Sequence, residues 1–129
     1  MNIVLWILQL LLAFQFLQHG MMMVFPPVEL VELINASLGV GLRYFIGIAE
    51  LLAVAGLILP GVLRIYTWLI PLTAAGLMII TASATVLHLT RGETGSAIYT
   101  AVLLIVTTFV AYMRWKVKPI LPRRTQPSV

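Results

Sequence analysis

The chain has 129 residues, of which 61% are hydrophobic and 9% are charged, whereas a typical soluble domain carries about 25% charged residues. It contains no cysteine, which excludes disulfides, thiolate catalysis and cysteine-ligated metal centres. Five of the eight Lys and Arg residues lie in the last 16 positions, so the net charge of +4 predicts a basic anchor at a membrane surface rather than a nucleic-acid interface.

The first apolar segment covers about residues 3–25 and is long enough for the ~20 residues that a helix needs to cross a bilayer. Its amino-terminal side lacks the basic residues of a secretory signal, and the segment has no small-residue cleavage site. We therefore expect it to stay attached as the first transmembrane helix, which ends at Pro26-Pro27 because proline cannot continue a helix.

Residues 27–38 are less apolar, and their apolar and polar side chains recur at roughly helical spacing. This pattern predicts a short amphipathic helix that lies in the membrane interface between spans 1 and 2. Its apolar members are Val28, Val31, Leu33 and Ile34, and its polar members are Glu29, Glu32 and Asn35.

Three further spans are predicted over about residues 41–59, 63–87 and 96–113. Pro71 would lie inside the third span, where we expect a kink. The sequence therefore predicts an all-α, membrane-embedded four-helix transmembrane bundle. It would form a single domain over residues 1–115, followed by a basic cytoplasmic tail over residues 116–129.

Four spans place both termini on the same side of the membrane. That side would hold six Lys and Arg residues, five from the carboxy-terminal stretch and Arg64, whereas the other side would hold at most Arg43 and Arg91. The positive-inside rule then predicts that both termini are cytoplasmic.

Glu50 lies near the middle of the second span, where insertion scales give an ionisable side chain a cost of about 2.5–3.5 kcal/mol. Other polar side chains fall in the same outer half of the predicted bundle, and Gly47 leaves space beside Glu50 for a neighbouring backbone or a ligand. We therefore predict a polar pocket that opens towards the outer leaflet. Its candidate residues are Glu50, Arg43, His88, Gln15, Gln18, His19 and Gly47.

Several arrangements of these residues stay open. Arg43 could reach the Glu50 carboxylate, seven residues later on the same helix face, or extend to the lipid headgroups while Glu50 is protonated or bonded to Gln15 or a backbone carbonyl. His88 could lie at the membrane interface, bond to Glu50 or ligate a metal. His19, His88 and Glu50 have no metal-ligand spacing, so no metal site is predicted.

The run from Leu42 to Glu50, followed by Ala55-Gly56-Leu57 and Leu59-Pro60, resembles the R-x-x-G-x-x-E…GL-x-x-P signature of the DoxX-like family of small bacterial membrane proteins. His88 and Arg91-Gly92-Glu93 resemble that family's H-x-x-R-G-E ending. The resemblance implies a four-helix transmembrane bundle in the bacterial cytoplasmic membrane. It also implies functional positions at Arg43, Gly47, Glu50 and His88.

The family's functions are diverse and include a subunit of an archaeal thiosulfate:quinone oxidoreductase, other components of membrane oxidoreductase complexes and an animal receptor-assembly chaperone. Our leading hypothesis is an accessory component that binds an apolar small molecule, either a quinone or a lipid. No cofactor is identifiable from the sequence, a bound quinone being part of the hypothesis alone, and the sequence leaves open whether the protein is an enzyme. The alternatives are an assembly factor for another membrane protein and a proton-coupled transporter. The expected partners are the lipid bilayer, a membrane or redox protein, and a second copy of the chain.

Overall fold

The computed structural model describes residues 2–122, apart from the side chain of Ser37, and contains no β-strand within that range. Four of its helices are long and apolar enough to cross a membrane, so the prediction of an all-α, four-span membrane protein is confirmed. The helices are α1 (Asn2–Val24), α2 (Val28–Leu38), α3 (Val40–Leu63), α4 (Leu69–Thr90) and α5 (Thr94–Tyr112), the last of which continues as a π-helical turn over Met113–Val117.

The short helix α2 follows the predicted amphipathic stretch and confirms the predicted helix between spans 1 and 2. It is separated from α3 by Gly39 alone, whose backbone has a φ of 83°. A side chain at this position would be strained, because L-residues rarely adopt positive φ. Glycine therefore lets the chain turn sharply from the interfacial helix into the second span.

Two predicted span boundaries were wrong, and both errors concern proline. Helix α3 runs through Pro60 to Leu63 and stops where Arg64 adopts a left-handed conformation. Helix α4 begins at Leu69, so Pro71 falls in its first turn, where the missing N–H has no intrahelical partner to lose. Pro71 therefore does not create the interior kink that we expected.

The spans pack chiefly as two antiparallel pairs, α1 with α3 and α4 with α5, and the pairs join along α3 and α4. The core between them is a cluster of seven buried apolar side chains: Leu12, Ala13, Phe16, Leu57, Ala74, Leu77 and Val110. Contacts between α1 and α5 are sparse. We call the end of the bundle with Asn2 and Val117 the terminal end, and the end with residues 25–39 and 91–93 the turn end.

Helices α1 and α3 approach closely at Gly20 and Gly47. A Cβ added to Gly47 would lie 2.8 Å from the Met23 Cβ and 3.1 Å from the Gly20 carbonyl oxygen. The first distance is shorter than real Cβ atoms show and the second is unusually tight, so a side chain at position 47 would push the two helices apart. The contact brings the neighbouring residues of the two helices within hydrogen-bonding reach.

The terminal end is held by a buried polar network around Arg114 in the π-helical turn. The Arg114 Nε donates to Gln9 Oε1 at 2.6 Å, and its Nη1 donates to Asn2 Oδ1 and to the Lys118 carbonyl. Gln9 in turn donates to the Leu57 carbonyl at 2.7 Å. Arg114 is 2% exposed, so the expectation that it anchors a basic stretch at the lipid surface was wrong.

The chain after Val117 folds back against the terminal end. The Arg64 Nε donates to the Leu121 carbonyl at 3.0 Å, and Ile120 packs beside Gly61 and Trp6. The predicted tail over 116–129 therefore starts inside the folded bundle, while its last residues, 123–129, lie outside the described residues.

Replacement of Gln9 by Leu is expected to lower the free energy of unfolding by about 1.5–3 kcal/mol, because the buried Arg114 guanidinium loses a charge-assisted hydrogen bond. Denaturant unfolding in detergent micelles, followed by circular dichroism, measures the change. The matched control is Gln18→Leu, the same substitution at an exposed position of the same helix. Equal stabilities of the two variants would contradict a stabilising role for the Gln9–Arg114 contact.

Candidate functional site

A cavity of about 280 Å³ lies between the two helix pairs, where α1 and α5 make few contacts. Every spanning helix contributes to its wall. Its lining residues are Gln15, Phe16 and His19 from α1, Glu50 from α3, Ile80, Thr81, Ala84 and His88 from α4, and Ser96, Tyr99, Thr100 and Leu103 from α5. The apolar side chains Phe16, Ile80 and Leu103 lie in the inner part of the wall together with the polar Gln15, Glu50 and Thr81, and His88 and Ser96 lie at the turn end.

Glu50 forms its hydrogen bond with His19, across the close contact between α1 and α3. His19 Nδ1 and Glu50 Oε2 are 2.7 Å apart, and the Glu50 side chain is 2% exposed while that of His19 is 40% exposed. The sequence had suggested Arg43, Gln15, His88 or a backbone carbonyl as the partner. An imidazolium–carboxylate pair is neutral as a whole, which reduces the cost of placing a carboxylate at membrane depth.

Arg43 neither bonds to Glu50 nor extends to the surface. It is 4% exposed, its Nη1 donates to the Met23 carbonyl at 2.9 Å, and its guanidinium lies 4.5 Å from the centre of the Tyr44 ring. Met23 belongs to the last turn of α1, whose carbonyls lack helical partners and carry the negative end of the helix dipole. Arg43 therefore caps α1 instead of lining the cavity.

His88 lines the cavity on the opposite helix pair and bonds to Glu93 in the turn before α5. Its Nδ1 lies 3.2 Å from Glu93 Oε2, with side-chain exposures of 26% and 44%. Glu93 is also held through its backbone N–H, which donates to the His88 carbonyl at 2.9 Å. The three arrangements that the sequence suggested for His88 did not include a bond to Glu93.

Of the seven predicted site residues, the cavity brings together Glu50, His19, His88 and Gln15. Arg43 and Gly47 serve the α1–α3 contact, and Gln18 is exposed outside the cavity wall. The helix geometry explains Gln18, because each residue advances by about 100° around the axis. Gln15 and His19 are therefore nearly aligned, whereas Gln18 lies about 100° away from His19 and faces outwards.

The contribution of α5 was missed, although its sequence carried a signal. Ser96, Tyr99, Thr100 and Leu103 follow the spacing of one helix face. Thr85 on α4 donates to Thr100 Oγ1 at 2.9 Å, and Thr100 donates back to carbonyls of its own helix. These hydroxyls join α4 to α5 and make the turn-end part of the wall polar.

Within residues 2–122, no group of three or more His, Cys, Asp or Glu side chains is arranged to hold a metal ion. His19 and Glu50 are in contact, but His88 bonds to Glu93 instead of completing a set with them. The side chains around the cavity can donate and accept hydrogen bonds and can exchange protons. A polar headgroup within an apolar molecule matches this combination of walls.

Comparison with known families gives a match over most of the chain. The model of the DoxX-like family matches residues 7–110, a range that contains every cavity-lining residue and parts of all four spans. No curated protein and no solved structure matches the chain significantly. On the family match, which agrees with the four-span architecture, the chain belongs to the DoxX-like family.

Proposed function

We propose that this membrane protein binds an apolar small molecule with a polar headgroup, a quinone or a lipid, in the cavity between its helix pairs. The observation that carries the proposal is the His19–Glu50 pair in the wall of a 280 Å³ cavity at membrane depth. A buried carboxylate in a spanning helix is costly, so its position marks a polar interior site.

The size of the cavity supports a ring-sized headgroup. Ligand pockets in proteins typically measure about 300–1,000 Å³ and combine apolar walls with a few polar groups that fix the orientation of the ligand. Here Phe16, Ile80 and Leu103 supply apolar walls. A headgroup can occupy this volume while its chain extends between α1 and α5, which make few contacts with each other.

The chemistry of the His19–Glu50 pair suits both redox forms of a quinone. Because Nδ1 of His19 bonds to Glu50, Nε2 is the ring nitrogen left to bond a ligand. A protonated His19 donates from Nε2 to a quinone carbonyl, and a neutral one accepts from a hydroquinone hydroxyl. The pair can thus recognise either form without a change in backbone position.

The composition of the chain supports an accessory role in a membrane oxidoreductase system. It holds no cysteine for a thiol or iron–sulfur centre, so any electron transfer would depend on the bound quinone and a partner protein. In that role the protein would hold or deliver the quinone, and the partner would oxidise or reduce it.

For its orientation, we propose the bacterial cytoplasmic membrane with both termini cytoplasmic. Lys116, Lys118 and Arg64 lie at the terminal end, whereas Glu29, Glu32 and Glu93 lie at the turn end. The excess of basic residues at one end favours the cytoplasmic side for that end. The cavity would then open towards the outer leaflet.

The binding proposal predicts that the wild-type protein in phosphatidylcholine nanodiscs retains decylubiquinone after washing. Glu50→Gln should weaken retention about tenfold or more, because His19 loses the carboxylate that orients its ring and so loses its hydrogen bond from Nε2 to the ligand. A hydrogen bond that involves a charged group contributes about 1.5–3 kcal/mol. Quinone extracted per protein chain measures the effect. Gln18→Ala, at an exposed position of α1 outside the cavity, serves as the control and should bind as the wild type does.

Equal retention by Glu50→Gln and the wild type would contradict the proposed binding site. The binding proposal would also fail if protein purified from native membranes carried neither quinone nor another apolar small molecule. The accessory role has a separate readout, because a stoichiometric redox partner should copurify in mild detergent. Purification of a homo-oligomer without a partner would contradict that role alone.

The orientation can be tested with single cysteines, because the chain has none of its own. In intact spheroplasts, a membrane-impermeant maleimide should label Glu32→Cys at the turn end and should not label Lys116→Cys until the membrane is opened. Both positions are exposed in the structure. The reverse labelling pattern would place the termini outside and contradict the proposed orientation.

A further inference from the structure

The cavity is bordered by two imidazole–carboxylate pairs, only one of which has a part in the proposed binding site. His19–Glu50 belongs to α1 and α3, and His88–Glu93 belongs to α4 and the turn before α5. Both histidines line the same cavity. The second pair therefore sits between the cavity and the water beyond the turn end.

At the turn end, Glu93 is 44% exposed and His88 is 26% exposed, and across the cavity His19 is 40% exposed and Glu50 is 2% exposed. Of these four side chains, the Glu50 carboxylate is therefore the one that is shielded from the surroundings. The cavity of about 280 Å³ separates His88 from His19, and this volume is several times the ~30 Å³ that one water molecule occupies in the liquid. Waters hydrogen-bonded to the polar wall can therefore bridge the two histidines.

Imidazole is suited to pass protons, because one ring nitrogen can accept a proton while the other releases one. Chains of carboxylates and histidines in membrane interiors commonly carry protons for the same reason. We propose that His88 and Glu93 form the proton entrance of the cavity and that Glu50 exchanges protons with water at the turn end by way of His19. The proposal requires no bound ligand and goes beyond the proposed quinone binding.

The proposed transfer moves one proton from bulk water to Glu50. Glu93 takes a proton from hydronium and passes it to Nδ1 of His88. Nε2 of His88 then releases a proton to cavity water, and a proton from that water reaches Nε2 of His19. The proton on Nδ1 then moves to Oε2 of Glu50, so that Glu50 becomes a carboxylic acid and His19 returns to a neutral imidazole. Proton release follows the same path in reverse, and no electron is transferred.

The other charged and titratable groups near the route stand apart from it or act only as part of its wall. Tyr99 on α5 lines the cavity, and Arg91 belongs to the same turn as Glu93. Arg43 shares α3 with Glu50 but bonds to the Met23 carbonyl. Glu29 and Glu32 are exposed on α2 and do not line the cavity.

The experiment uses the full chain in phosphatidylcholine nanodiscs without quinone. A light pulse releases protons from a caged proton source, and time-resolved infrared spectroscopy follows the carbonyl stretch of protonated Glu50, which is assigned by its loss in Glu50→Gln. His88→Ala and Glu93→Gln should each slow the rise of this band about a hundredfold, the scale of effect seen when a positioned proton-transfer group is removed. Its final amplitude should be unchanged.

Two controls separate proton transfer from a structural effect. Added imidazole should restore a fast rise in His88→Ala, which mere loss of packing would not allow, and Glu29→Gln should behave as the wild type does. If His88→Ala does not fold, Glu93→Gln decides the result. Unchanged rates in these variants, or a Glu50 band that does not respond to the pulse in the wild type, would overturn the proton route and leave the quinone-binding result unaffected.

Discussion

The membrane interior offers no water to a polar group, and this constraint governs the structure around Glu50. A carboxylate buried to 2% exposure needs a partner inside the protein. His19 supplies it at 2.7 Å because Gly20 and Gly47 allow α1 and α3 to meet backbone to backbone. The glycine contact, the α1–α3 pairing and the polar site are therefore parts of one arrangement.

The same constraint produces a different result at each end of the bundle. At the terminal end, Gln9, Arg114 and Asn2 bond to one another and to backbone carbonyls, which joins α1 to α3 and to the π-helical turn. At the turn end, the polar groups border a cavity, and His19 and His88 keep a ring nitrogen that the described contacts with carboxylates do not use. A bundle whose helices are hydrogen-bonded together at one end and border a cavity at the other is suited to hold a molecule between its helix pairs.

Much of the fold could be predicted from the sequence because lipid imposes simple length and composition rules on spanning helices. The site could be predicted only in part. The helical period places Gln15 and His19 on one side of α1, but it could not fix how α1 is rotated against α3 and so could not show that Gln18 faces away from the cavity. A contact with Glu50 was one of the two arrangements considered for Arg43, because both share a helix face, whereas Arg43 donates to the Met23 carbonyl at the end of α1.

The position of Arg114 could not be predicted from its neighbours in the sequence. It belongs to a stretch of basic residues that is typical of a membrane anchor. Its burial depends on Gln9, which lies 105 positions away in the chain. A partner at such a separation is determined by packing between helices, so it cannot be predicted from the periodicity of one segment. The wall residues on α5 differ in this respect, because their spacing on one helix face was visible in the sequence.

The most direct test of this account is the contact between His19 and Glu50 itself. Solid-state NMR on lipid-embedded protein, with ¹⁵N-histidine and side-chain ¹³C-glutamate, can measure the dipolar coupling between the His19 ring and the Glu50 carboxyl carbon. The chain has two histidines, so a His88→Gln sample leaves only the His19 signal. The account predicts a strong coupling from His19 Nδ1, as a direct hydrogen bond requires, and a coupling too weak for direct contact would contradict it.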